Sequence, residues 1–198
     1  INRIWKGNLH LRFEANSVHE TLIRTYEICR EDILQKRLEF EFRLNAKDDH
    51  VNGDPARLQQ VFWNLIKNAV KFTPEGGQIT VETSNPSADQ IEIRTSDNGI
   101  GIEPEKISKI FNAFEQGQSS ITRKFGGLGL GLASSKALVG AHGGTTVGES
   151  KGPGHGATSR IRQPTVRAPG PAHPTDKRGP LAPQPPTAKH NHPSTPPP

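Results

Sequence analysis

Two glycine clusters limit what this chain can fold into. The first is Asp97-Asn98-Gly99-Ile100-Gly101-Ile102 and the second is Gly126-Gly127-Leu128-Gly129-Leu130-Gly131-Leu132. Glycine takes positive φ without penalty and lets backbone approach a ligand closely. Backbone N–H groups at the start of a helix favour anionic oxygens. Leu128 to Val139 supplies such a helix, with Leu130, Ala133, Ala137 and Leu138 near helical spacing. The clusters bracket a polar stretch, Glu115 to Phe125, with no sustained apolar period, which reads as a mobile loop. Two glycine turns around a mobile segment suit a bound nucleotide.

A helix upstream carries matching chemistry. Asp54-Pro55 reads as an N-cap followed by proline in the first turn. Leu58, Val61, Phe62, Leu65, Ile66, Ala69 and Val70 form a wide apolar face. Gln60, Asn64, Asn68 and Lys71 form a second, polar stripe. Asparagine is a mediocre helix former. A solvated face is the bland account of two of them one turn apart. The functional account is a face for Mg²⁺ and phosphate, because an amide oxygen is a hard ligand and Lys71 can meet phosphate oxygens.

The remaining elements follow in order. Leu9, Leu11 and Phe13 alternate with polar residues and predict a short strand. Ser17-Val18-His19-Glu20 has capping-box spacing. Val18, Leu22, Tyr26, Cys29 and Ile33 then mark an amphipathic helix to about Lys36, with Cys29 as core packing. Leu38, Phe40, Phe42 and Leu44 predict a strand with one wet face. Gln78–Ser84 and Gln90–Ser96 are two further strands, with Asn85–Asp89 as their hairpin connection and Asp97 just beyond. Pro104 begins a short helix with Ile107 and Ile110, and Phe111 and Phe114 follow. Thr145–Glu149 and Ala157–Arg162 are the last candidate strands.

Composition narrows the class. The 198 residues suffice for one domain with a real core. The chain starts at Ile1 without any Met and is expected to be a segment of a longer protein. The single Cys29 excludes an internal disulfide and fits a reducing, cytoplasmic setting. No apolar run has spanning length, and no signal peptide is visible, so no membrane contact is expected within the segment. Of the net charge of +5, four cations and one anion (Arg167, Lys177, Arg178, Lys189 and Asp176) lie after Gln163. That diffuse charge has no basic helix or aromatic platform beside it, which argues against nucleic-acid binding. From Pro164 onward the chain is proline-rich with little apolar bulk, and is expected to be disordered.

In these residues the chain resembles the catalytic ATP-binding domain of sensor histidine kinases. Asn64 to Thr73 looks like the family's asparagine box, and Asp97-Asn98-Gly99-Ile100-Gly101 like its first glycine box. Phe111-Asn112-Ala113-Phe114 looks like its phenylalanine box, and Gly127-Leu128-Gly129-Leu130-Gly131 like its second glycine box. The resemblance implies an α/β sandwich, with a mixed, largely antiparallel sheet and helices packed on one face. It implies residues 8–164 as the catalytic domain, 1–7 as the end of a preceding dimerisation helix, and 165–198 as a linker or tail. ATP and Mg²⁺ are the implied cofactors. Asp97 would accept from the adenine amino group, with Gly99 and Gly101 passing under the base. Asn68 would hold Mg²⁺ with Asn64 nearby, and Lys71 would neutralise phosphate charge. Gly127, Gly129 and Gly131 would hinge the lid, with Leu128 and Leu130 in the same turn; Phe114, Arg123 and Lys124 would complete the site. The implied partners are a phosphoacceptor hairpin, which would make the parent protein dimeric, and the receiver domain of a response regulator.

Two departures qualify the resemblance. The acceptor histidine of the family lies on a helical hairpin, and neither His10 nor His19 stands in such a setting. The last strand offers Ala157, Ser159, Ile161 and Gln163 to the core, weaker than the family's apolar set, and is expected to fray. The competing reading is an ATP-hydrolysing clamp like gyrase or MutL, whose water-activating glutamate would occupy the position of Asn64. An amide cannot act there as a base. A non-catalytic nucleotide-binding scaffold is the third reading.

Overall fold

In the computed structural model, residues 10–111 and 131–168 are described. The chain runs β1 (Glu14–Ser17), α1 (Val18–Gln35), β2 (Glu39–Leu44), β3 (His50–Gly53), α2 (Pro55–Phe72), β4 (Gln78–Ser87) and β5 (Gln90–Asp97). A short helix α3 (Pro104–Ile107), then α4 (Gly131–Ala141), β6 (Thr145–Glu149) and β7 (Ala157–Pro164) complete it. Five strands form one sheet in the order β2-β4-β5-β7-β6, and β1 pairs with β3 in a separate ribbon. The β2–β4 pair is parallel and the other pairs of the large sheet are antiparallel. This is the expected mixed α/β sandwich, with the helices on one face.

The two long helices form where the sequence caps them. The Ser17 hydroxyl accepts the Glu20 N–H at 3.1 Å and donates to Asp49 Oδ2. Asp54 Oδ1 accepts the Arg57 N–H at 3.2 Å, with Pro55 in the first turn. Leu22, Cys29 and Ile33 of α1 and Leu58, Val61, Phe62 and Ile66 of α2 then bury against Ile79, Val81, Ile91, Ile93 and Ile161 of the sheet. Cys29 is fully enclosed and burial raises its thiol pKa, as a core role requires. Tyr26 packs on Phe40 and Phe42, with ring centroids 4.9 and 5.6 Å away.

Several boundaries differ from the sequence-based expectation. The first strand is Glu14–Ser17 rather than the Leu9–Phe13 alternation. Its partner is the four-residue β3, whose pairing begins at Glu14↔Gly53. Upstream, Arg12 N–H bonds Asp54 Oδ2 and the Phe13 ring lies 5.2 Å from that of His142. The β4–β5 hairpin is tighter than Asn85–Asp89, because pairing continues to Ser87↔Gln90 past a register shift. The Asn85 side chain anchors that shift, accepting from Lys47 and Asp48 N–H and donating to Asp48 and Gln90 carbonyls. Helix α3 stops at Ile107, leaving Ile110 in a turn. Ala137 of α4 is exposed; the buried residues of the helix are Ala133, Ser135, Leu138 and Val139, with His142 buried just beyond it.

The largest correction concerns the last strand, which does not fray. β7 spans eight residues and lies between β5 and β6, so hydrogen bonds hold it on both sides. Ile161 and Gln163 are buried, while on the opposite face Glu92 sits between Arg160 and Arg162. Backbone pairing and this charge cluster make up for the small core-facing side chains. The chain stays attached past Pro164, with Thr165 N–H on Asp89 O and Val166 N–H on His50 O.

Candidate nucleotide-binding site

Asp97 is the last residue of β5, paired on both sides, with Ile79 and with Ala157. Its Oδ1 accepts the N–H of Gly99 at 2.9 Å and of Ala157 at 3.3 Å. Among the described residues no donor reaches Oδ2. Burial raises the carboxyl pKa, and those two N–H groups oppose the shift. The carboxylate is thus fixed in direction through one oxygen and open at the other.

The loop after Asp97 folds against the end of α2. Ile100 N–H bonds the Phe72 carbonyl at 3.1 Å. A Cβ on Gly99 would stand 2.4 Å from that same carbonyl oxygen. Gly101 has φ +70°, and a Cβ there would meet the Gly152 carbonyl oxygen at 2.1 Å. Gly101→Ala is therefore expected to cost about 2–3 kcal/mol, combining a strained φ with overpacking against backbone. A urea unfolding midpoint unchanged from the parent would contradict this.

The sequence reading missed the segment that backs this loop. Gly154 N–H bonds Ile100 O at 2.7 Å and Gly156 N–H bonds Gly99 O at 3.1 Å. Ser150 Oγ accepts from Ile102 N–H and donates to Gly156 O at 2.6 Å. The Gly152-Pro153-Gly154-His155-Gly156 run was a visible signal, a third glycine cluster between the last two strands.

On α2 the polar stripe divides by role. Asn64 is buried, and its Nδ2 donates to Gly131 O at 3.1 Å and Ser135 Oγ at 3.0 Å. It joins α2 to α4. Asn68, one turn on, is half-buried, and its carboxamide makes no hydrogen bond among the described residues. Lys71 is half-buried, with Nζ 5.0 Å from the Phe72 ring centroid. Gln60 lies apart, accepting from Arg57. The structure thus brings Asn64, Gly131 and Ser135 together, and joins the Gly99–Gly101 loop to the end of α2. Phe114, Arg123, Lys124, Gly127, Leu128, Gly129 and Leu130 lie outside the described residues, as do the 115–125 loop, residues 1–7 and most of the proline-rich tail.

Residues 53–167, more than half of the chain, match the profile of the histidine kinase-, DNA gyrase B- and HSP90-like ATPases. The chain belongs to this family. Within it, the domain is 45% identical over 125 residues to the signal transduction histidine-protein kinase BarA of Escherichia coli, covering 60% of this chain and 13% of that protein. It is 38% identical over 124 residues to the sensor histidine kinase WalK of Bacillus subtilis, covering 62% of this chain and 20% of that one. The chain therefore spans about a fifth or less of these relatives. Full-length ShkA, solved in complex with AMPPNP, superimposes with a TM-score of 0.72 at 26% identity, covering 84% of this chain and 34% of that one. The chain is thus an ATP-binding domain of this ATPase family, homologous to the catalytic domains of sensor histidine kinases. Among the described residues no helix is long and apolar enough to cross a membrane.

Proposed function

We propose that this domain binds Mg·ATP and transfers the γ-phosphoryl group to a histidine on a helical hairpin of its parent protein, for relay to a response-regulator receiver domain. The observation that carries the reading is Asp97. Its carboxylate is half-buried at a strand end, held through Oδ1 by Gly99 and Ala157, with Oδ2 left to accept from an adenine amino group. The likeness to AMPPNP-bound ShkA supports a nucleotide there.

The half-buried carboxamide of Asn68 fits a hard divalent cation. Through its oxygen Asn68 would hold Mg²⁺, which neutralises charge on the phosphates when bound. Lys71 on the next turn would meet phosphate oxygens, and Arg123 and Lys124 would add charge from the lid. Asn64 holds Gly131 and Ser135, and so ties α2 to α4. Phosphoryl transfer needs positioning and charge stabilisation more than covalent chemistry from protein. Hydrolysis is the weaker reading, since Gln60, Asn64, Asn68 and Lys71 present no carboxylate to activate water.

The test is labelling from γ-labelled ATP. The chain alone should not label itself. His19, the histidine followed in sequence by an acid, Glu20, sits in the first turn of α1 with Nε2 2.7 Å from Thr83 Oγ1 and Nδ1 3.6 Å from Asp49. A cognate hairpin supplied in trans should become labelled in an acid-labile form. Acid-labile label on this chain, or none on the hairpin, would overturn the proposal.

A further inference from the structure

The C-terminal end of α2 meets both halves of the site, and its carbonyls can be accounted for one by one. A helix leaves its last four carbonyls without intrahelical partners. Ala69 O accepts from the N–H of Thr73 at 3.0 Å and from its hydroxyl at 2.6 Å. Phe72 O accepts from Ile100 N–H of the Asp97–Gly101 loop. The two between them go to a side chain from another helix. Lys36 Nζ donates to Val70 O at 2.6 Å and Lys71 O at 3.3 Å, and also to Thr73 O at 2.5 Å.

Lys36 is tied at its backbone as well. It is the C-cap of α1, and its carbonyl accepts Gly76 N–H at 3.0 Å from the turn that follows α2. A cation at this place also suits the negative end of the helix dipole. No other cation bonds these carbonyls among the described residues.

We propose that Lys36 is a positioning residue of the nucleotide site. Its ammonium fixes the last turn of α2, and thereby both the base of the Lys71 side chain and the Phe72 carbonyl that seats the Asp97–Gly101 loop. The base-binding loop and the phosphate-binding stripe keep one relative placement because one cation holds the helix end they share. The inference rests on the nucleotide-site reading above, but its first readout needs no nucleotide.

The experiment compares the full chain with Lys36→Met, Lys36→Gln and Lys36→Arg. Hydrogen exchange is read at Ile100, whose N–H bonds Phe72 O, against Ile91 and Ile93 in the centre of β5. Lys36→Met should raise Ile100 exchange about tenfold or more while Ile91 and Ile93 stay near parental rates. Its ADP affinity should fall about tenfold, and Lys36→Arg should recover most of both effects. If Lys36→Met does not fold, Lys36→Gln carries the same comparison. Parallel acceleration of all three amides would mean a global stability role and overturn the proposal, as would parental Ile100 exchange. If the parent fails to bind ADP, the nucleotide reading falls by itself, and the Ile100 comparison still decides whether Lys36 seats the loop.

Discussion

Asn68→Ala is expected to lower phosphoryl transfer to a supplied hairpin by about 10²–10³-fold, the range seen when one preorganised electrostatic group is removed. The Asn68 carboxamide is half-buried on α2 and makes no hydrogen bond among the described residues. Alanine has the better helix propensity, so the variant should fold at least as stably as its parent. A lost rate would then be a lost ligand contact and not an unfolded domain. Asn64→Ala should behave differently, because that amide bonds Gly131 and Ser135 in a buried place. It should lose stability by about 1–3 kcal/mol, the cost of orphaning buried polar groups. Transfer rates at rising Mg²⁺, paired with urea melts, separate the two. An Asn68→Ala variant as fast as its parent would remove Asn68 from the metal site.

The contrast between these asparagines marks how far sequence reaches. Helical period and caps located α1 and α2 nearly to the residue, since Ser17 and Asp54 bond donors only three residues away. Alternation located β2, β4 and β5 because their apolar sets face one core. The ribbon of β1 and β3 was not legible. It is four residues long and depends on pairing Glu14 with Gly53, which no local pattern encodes.

Buried polar residues were the other blind spot. His142 faces the Leu138 carbonyl at 2.7 Å through Nδ1 and accepts Asp54 N–H at 3.0 Å through Nε2. Ser135 finds Asn64 in another helix. An apolar-period reading of α4 skips both and selects Ala137, which is exposed. The same limit applies to β7. Its core-facing set is weak by composition, yet neighbours on both sides make it an interior strand. In the candidate site, the turn from Asp97 to Gly101 was legible because glycine and carboxylate chemistry is local. The Gly152–Gly156 backing and the Lys36 contact were not, because their partners lie far along the chain.

Asp97→Asn should cost roughly ten- to a hundredfold in ATP affinity and nothing in stability. The carboxamide can keep Oδ1 on Gly99 and Ala157 N–H, so the loop stays seated. Its Nδ2 then takes the place of Oδ2 and presents a donor where an adenine amino group also donates. A hydrogen bond to a charged group is worth about 1.5–3 kcal/mol, which sets the affinity range. Stability runs the other way. Burial raises the folded pKa of Asp97 above its unfolded value, outweighing the two N–H donors. A raised acid contributes stability below the ordinary carboxylate range and loses it as pH rises through the raised value. At neutral pH the buried carboxylate is thus a cost to folding, and the neutral amide should be as stable as the parent or more so. Calorimetry with ATP and thermal melts at neutral pH give both numbers. Unchanged affinity would take the adenine contact away from Asp97, and a large drop in melting temperature would mean that the loss came from the fold.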